Sequence, residues 1–157
     1  MPQDLVEELV PLARWFEALE PAADAHGGIL RLCATTASGL LTTRQDVMVL
    51  HGDIHHGNIL DFGPRGWLAI DPKGLTGERA FDYANIFCNP DLETATSPGR
   101  LARRAEVVAK AAALDRGRLL QWIVAWAGLS AAFSIEDGAS PKGGLAVAEL
   151  AAAELSR

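Results

Sequence analysis

The chain has 157 residues, an apolar share of 49% and a charged share of 22%. That is the balance of an ordinary folded domain, so disorder is excluded and no disulfide or metal is needed to staple the core. A formal net charge of −6 argues against nucleic acid as a partner, because nothing would offset phosphate repulsion, and is compatible with a cationic small molecule.

Residues 4–20 place Leu5, Val6, Leu9, Leu12, Ala13 and Phe16 at steps of three and four, which predicts an amphipathic helix that Pro11 kinks or divides. Acidic residues from the start, without a basic segment, do not make a secretory signal, so a cytoplasmic protein is expected. A second helix is predicted over 22–43, with Ile29, Leu30, Leu32, Cys33, Leu40 and Leu41 as apolar surface and Gly27-Gly28 as a weak point. The middle of the chain changes character. Short strands are predicted over 47–50, 58–62 and 67–70, the last two joined by the turn Gly63-Pro64-Arg65-Gly66. A loop over 74–79 follows, then a short helix over 80–87 that ends before Asn89-Pro90. From there the pattern is helical. Ser97-Pro98 opens a helix through Leu114, Asp115 caps a long helix reaching Ile135, and Ser140-Pro141 precedes a last helix over 145–155.

The uncharged run 119–135 falls just short of a membrane span. Gln121, Ser130 and Ser134 within it point to a buried core helix, and no membrane partner is expected. Cys33 and Cys88 lie far apart in apolar surroundings and read as free buried thiols. Trp122 and Trp126, one helical turn apart, read as core packing.

Between two apolar runs, HGDIHHGNIL at 51–60 gathers His51, Asp53, His55, His56 and Asn58, more titratable and amide groups than a turn requires. Antiparallel pairing of the next two strands returns Asp71 beside Asn58, so two oxygen ligands face one point with Asp53 close by. A carboxylate and an amide that hold Mg²⁺, with a separate carboxylate to take a hydroxyl proton, make a phosphoryl-transfer site. The order His-x-Asp-x-x-x-x-Asn, hairpin, Asp follows the logic of the kinase catalytic and metal loops.

HGDIHHGNIL followed by WLAIDPKGLTGERAFDYANIFCNP resembles the aminoglycoside phosphotransferase family, in particular its streptomycin 6-phosphotransferase and hydroxyurea phosphotransferase branch. IDPKG, in place of the protein kinases' Asp-Phe-Gly, points to that branch. The resemblance is dense over 47–90. It implies an α+β, mostly α fold: the helical C-terminal lobe of a protein-kinase-like fold over residues 1–157, with a small β-hairpin carrying the catalytic and metal loops. It also implies ATP and Mg²⁺ as cofactors and an aminoglycoside-like small molecule as acceptor. By the same resemblance Asp53 is the catalytic base, His51 braces its loop, Asn58 and Asp71 hold Mg²⁺, and Asp82 steadies the loop from a helix. Lys73 is placed near phosphate or ligand. His55 matches a position where the family often has histidine and is set with the cofactor, while His56 reads as a solvated loop residue. Glu136 and Asp137 read as a solvated helix exit, with contact to a cationic substrate as the alternative.

The chain departs from the family's pattern at its start. A nucleotide-covering lobe needs a Gly-rich strand-turn-strand and a strand lysine, whereas the residues before the cluster read as helices and the first lysine is Lys73. The expected unit is therefore the C-terminal lobe alone, as a fragment, a truncated product or half of a split enzyme. Its partner would be the missing N-terminal lobe, or a second copy in a dimer formed through an exposed apolar face. Two other readings stay open. One is a metallophosphoesterase with zinc or a metal pair on His51, Asp53, His55 and His56, His26 being the only further histidine. The other is a non-catalytic kinase-like module, opposed by the presence of Asp53, Asn58 and Asp71, each costly to bury without its ion.

Overall fold

The computed structural model describes residues 9–157. The part of the helix expected over 4–20 that carries Leu5 and Val6 lies outside the described residues. From Leu9 onward that expectation is corrected. Val10–Pro11 is a two-residue strand (β1), and the Val10 N–H donates to Gly74 O at 2.9 Å. Pro11 does not kink a helix; extended at φ −60, ψ 134, it stands just ahead of Leu12–Trp15 (α1). A 3-10 turn over Phe16–Ala18 leads into Leu19–His26 (α2). The single helix expected over 22–43 is cut at Gly27-Gly28. Both glycines take positive φ, 61° and 56°, a conformation a helix cannot continue through, and Ile29–Thr42 (α3) starts afresh.

Val47–Leu50 (β2) pairs antiparallel with Leu75–Glu78 (β5), and β5 pairs parallel with β1, so the small sheet runs β1-β5-β2. The central strand β5 occupies the stretch where a loop is expected over 74–79. Its sequence, Leu-Thr-Gly-Glu, has no β-branched alternation. It is a strand because Leu75 is fully buried and Gly77 lets α1 lie directly on it, where an added Cβ would stand 2.8 Å from Leu12 Cβ. The hairpin forms as predicted from Ile59–Asp61 (β3) and Trp67–Ala69 (β4), with a 3-10 turn at Gly63–Arg65. In place of one helix over 80–87 there are two 3-10 segments, Arg79–Tyr83 and Asn85–Cys88. Leu92–Ala95 (α4), not expected from the pattern, is a single turn capped by Asp91, whose carboxylate accepts from Thr94 N–H at 2.8 Å.

The remaining helices are Arg100–Ala112 (α5), Arg116–Glu136 (α6) and Lys142–Leu155 (α7). Asp115 caps α6 as predicted, accepting from Arg118 N–H at 2.7 Å. α6 has 21 residues and is long and apolar enough to cross a membrane, yet 67% of its apolar window is buried inside the described structure. It is the central core helix. Gly128 on its α3 side admits Cys33 so closely that an added Cβ would lie 2.3 Å from Cys33 Cβ. The described structure is thus α+β and mostly helical, with two small sheets.

Two features of this core bear on the site. Phe81 stands edge-on to Trp122 and Trp126, with centroids 5.7 and 5.5 Å apart, which pins the segment carrying Asp82 and Asn85. Glu78, at the end of β5, is 2% exposed and takes Arg118 Nε and Nη2 at 2.8 and 2.6 Å, Trp122 Nε1 at 2.8 Å and Gln45 N–H at 3.1 Å. Burial pushes this carboxyl up, but Arg118 and the two N–H donors outweigh it, and Glu78 ends below the ordinary glutamate value. The cysteines are free, Cys33 buried and Cys88 half-buried, and burial pushes each thiol up to about 12.

Candidate active site

The loop 51–58 leaves the end of β2 and enters β3, and its shape follows from three anchors. The β2–β5 ladder continues past Leu50↔Leu75 through the Lys73 N–H, which donates to His51 O at 2.7 Å. Gly52, at φ +84°, makes the turn; a Cβ there would meet Leu75 Cδ1 at 2.8 Å. Asp82 closes the loop from below, its Oδ2 accepting from His51 N–H at 2.8 Å and its Oδ1 from Gly52 N–H at 2.7 Å. Burial pushes the Asp82 carboxyl above the usual aspartate value, only partly opposed by those two N–H groups.

His51 is held at both ring nitrogens. Nε2 lies 2.7 Å from Ile70 O, and Nδ1 faces Asp53 N–H at 3.2 Å, so the network assigns the proton to Nε2 and leaves Nδ1 as acceptor. With neither nitrogen free, His51 cannot ligate a metal in this arrangement. Among the described residues no group of three His, Cys, Asp or Glu converges on a metal position. His55 instead caps the 3-10 turn His56–Asn58, accepting from Gly57 N–H at 3.0 Å, with Nε2 3.8 Å from Asp53 Oδ1. His56 is exposed, as expected.

Asn58 is buried, and its Nδ2 donates to Asp53 O at 3.0 Å, which turns its Oδ1 away as a free acceptor. The hairpin ladder, extended by Ile70 N–H to Asn58 O at 2.9 Å, sets Asn58 opposite Ile70, so Asp71 falls one residue beyond. Asp71 takes positive φ, 59°, and its side chain is 70% exposed. Lys73 stands between the carboxylates, Nζ 3.4 Å from Asp53 Oδ2 and 3.5 Å from Asp71 Oδ2. Asp53 beside it, and then the charge of Asp71, hold the Lys73 ammonium above the ordinary lysine value. The structure therefore brings together Asp53, His51, His55, Asn58, Asp71, Lys73 and Asp82. Glu136 and Asp137 are not part of this group. Exposed at the end of α6, Glu136 stands ten residues past Trp126, about 15 Å along the axis.

A carboxylate over an amide-braced loop, a second carboxylate across a hairpin and a cation between them is a polar cluster on an otherwise apolar sheet end. A family model described as aminoglycoside/hydroxyurea antibiotic resistance kinase matches residues 1–138. The chain belongs to that family.

Among its curated relatives are a streptomycin 3''-kinase of Klebsiella pneumoniae, 52% identical over 83% of this chain and 51% of the relative, and a hydroxyurea phosphotransferase of Kitasatospora aureofaciens, 33% identical over 85% and 38%. A streptomycin 6-kinase of Streptomyces griseus is 35% identical over 68% of this chain and 34% of its own length. The chain spans about half the length of the curated relatives it matches, or less. No solved structure matches.

Inside this antibiotic-kinase family member, sequence reasoning missed one contact to Asp53. Asn85 Nδ2 donates to Asp53 Oδ1 at 3.0 Å, and Asn85 Oδ1 in turn accepts from Trp126 Nε1 at 3.2 Å and Asn89 Nδ2 at 3.1 Å. The available signal was an amide three residues after Asp82 within a mostly apolar stretch. Trp126 packs in the core as expected, but its N–H is also spoken for.

Proposed function

We propose that this chain is the helical lobe of a kinase-like phosphotransferase that moves the γ-phosphoryl group of ATP to a hydroxyl of a streptomycin-like aminoglycoside. The observation that carries the reading is the fixed Asp53 carboxylate beside an acceptor-out Asn58 and an exposed Asp71. Its family and its streptomycin-kinase relatives support the substrate class.

The residues fit Mg²⁺. Asn58 Oδ1 is directed away from its own hydrogen bond, Asp71 is exposed, and an all-oxygen donor pair is what that hard cation takes. When bound, Mg²⁺ with ATP would supply the phosphoryl group and neutralise its charge. The chain's own residues do the rest. Asp53 receives the proton of the acceptor hydroxyl; Asn58 and Asp71 would hold the metal. Lys73, already between the carboxylates, offers its ammonium to phosphate, and His55 stands by the other Asp53 oxygen, its Nε2 3.8 Å from Oδ1. His51 and Asp82 keep the loop in register through its backbone N–H groups.

A second lobe is part of this reading. The described edge strand β2 exposes Val47, Met48 and Val49, and the hairpin exposes Phe62 and Trp67, the latter 70% exposed. A nucleotide-covering lobe, or a second copy, would bury apolar surface of this kind. The alternative is a kinase-like module with no turnover of its own.

The test is phosphorylation of streptomycin with Mg²⁺ and ATP, followed by ³¹P NMR and mass spectrometry, for this chain alone and with the N-terminal half of the 3''-kinase relative added in trans. Asp53→Asn should lower turnover by about 10²–10⁴-fold with an unchanged thermal midpoint. Full turnover by Asp53→Asn would remove Asp53 as base. Absence of turnover by the wild-type chain in both settings would leave the inactive module as the better reading.

A further inference from the structure

We propose that Asn85, oriented by the Trp126 indole N–H, is a positioning residue that fastens one oxygen of Asp53 and presents the other to the acceptor hydroxyl. This rests on the reading of Asp53 as base. A carboxamide has two ends of nearly equal shape, and only its neighbours decide which is oxygen. Trp126 decides here, because an indole N–H can only donate. It lies 3.2 Å from Asn85 Oδ1, and Asn89 Nδ2 donates to the same oxygen at 3.1 Å. With two donors on that side, the NH₂ end must face Asp53 Oδ1, at 3.0 Å. The flipped carboxamide would set an NH₂ against two donors and an oxygen against a carboxylate.

Each link of this chain is itself held. The Trp126 ring is 8% exposed and packed edge-on to Phe81. Asn89 also donates to Asn85 O at 2.9 Å, and its own carbonyl takes Arg100 Nη2 at 3.1 Å. The relay thus runs from the buried Trp126 on the core helix α6 to the site through the half-buried Asn85. Its effect is on the Asp53 χ2 torsion, which is broad in a free carboxylate and would let both oxygens turn out of line with the hydroxyl. Fastened at Oδ1, Asp53 keeps Oδ2 outward, toward Lys73 at 3.4 Å. That oxygen is where the hydroxyl proton arrives, and alignment of this kind governs the rate of proton transfer and attack more than binding.

Two readouts on the same proteins test this. The first needs no turnover: in the ¹⁵N-labelled chain, Asp53→Ala should move the Asn85 carboxamide resonances and Asn85→Ala should move the Trp126 indole resonance. An Asn85 carboxamide unmoved by Asp53→Ala overturns the relay. The second is kinetic, in whichever setting the wild type turns over. Asn85→Ala should lower kcat by about 10–100-fold and Trp126→Phe by about 3–10-fold, both with KM for ATP and streptomycin within about twofold. Trp126→Phe keeps an aromatic ring against Phe81 while removing the N–H, and decides the matter if Asn85→Ala does not fold. Loss of activity in Asp53→Asn with full kcat in both relay variants overturns the positioning role and leaves the base intact. Full activity in Asp53→Asn overturns the base itself. If the wild type shows no turnover, the resonances decide.

Discussion

Arg118→Met should be among the most destabilising single changes in the chain, and its effect should depend on pH in a defined sense. The substitution removes both guanidinium hydrogen bonds to Glu78, at 2.8 and 2.6 Å, and leaves a 2%-exposed carboxylate with only the Trp122 and Gln45 N–H groups. Removing one partner of a buried pair costs about 3–5 kcal/mol. The bonds from Arg118 to Leu40 O and Thr43 O add little, because water can replace them at the open end of α3. At about 2–4 °C per kcal/mol for a chain of this size, the thermal midpoint should fall by about 6–20 °C at pH 7, read by tryptophan fluorescence and circular dichroism. In the wild type Glu78 sits below the ordinary value of 4.5, so its contribution is present above pH 4.5 and lost as pH falls below it. In the variant, burial without the cation raises the carboxyl, so the penalty is felt above that value and relieved as the group protonates. The gap between the two proteins should therefore be widest near neutrality and narrow in acid. Glu78→Gln with Arg118→Met should recover part of the loss, since no charge is then stranded. A loss under about 1 kcal/mol at pH 7, or one that does not shrink in acid, would refute the reasoning.

Gly52→Ala should destabilise by about 1–3 kcal/mol in urea unfolding and impair the site, because φ is +84° and the new Cβ would press on Leu75 Cδ1 at 2.8 Å; a neutral substitution would show that the loop can relax. With both thiols pushed up to about 12, Cys33 and Cys88 should resist iodoacetamide at pH 8 in the native chain and react fully once unfolded. Rapid alkylation of either in the native state would contradict the raised thiols.

What could be read in the sequence divides by the range of the forces involved. Asp115 as a cap, the hairpin around Gly63-Pro64-Arg65-Gly66 and the long core helix depend on local propensity, and each stands where the pattern puts it. β5 could not be found that way, because Leu-Thr-Gly-Glu is a strand only through its neighbours β1 and β2 and the close approach of α1 at Gly77. The division at Gly27-Gly28 was visible as a weak point but not as a break, since the glycine cost is small until tertiary packing turns the chain. In the candidate site, the return of Asp71 toward Asn58 and Asp53 was legible from spacing and strand pairing, while Lys73 falls between two carboxylates only because the β2–β5 register sets it opposite Gly52. The contact of Asn85 with Asp53 was not legible, because the amide is oriented by a partner 41 positions away on α6.

The contacts that hold this fold and those that shape its site are largely separate, which makes the functional reading open to clean experiment. Glu78 and Arg118 clip the sheet to α3 and α6 without touching Asp53. Asp53 itself is 26% exposed and Asp71 70% exposed, so neither supports the core. Conservative changes at these two carboxylates should leave the midpoint unchanged while altering chemistry, and changes at Arg118 should do the reverse until the protein unfolds. Trp126 is where the two sets meet. Its ring belongs to the core and its N–H to the site, so replacing the ring and replacing only the N–H separate packing from positioning within one residue.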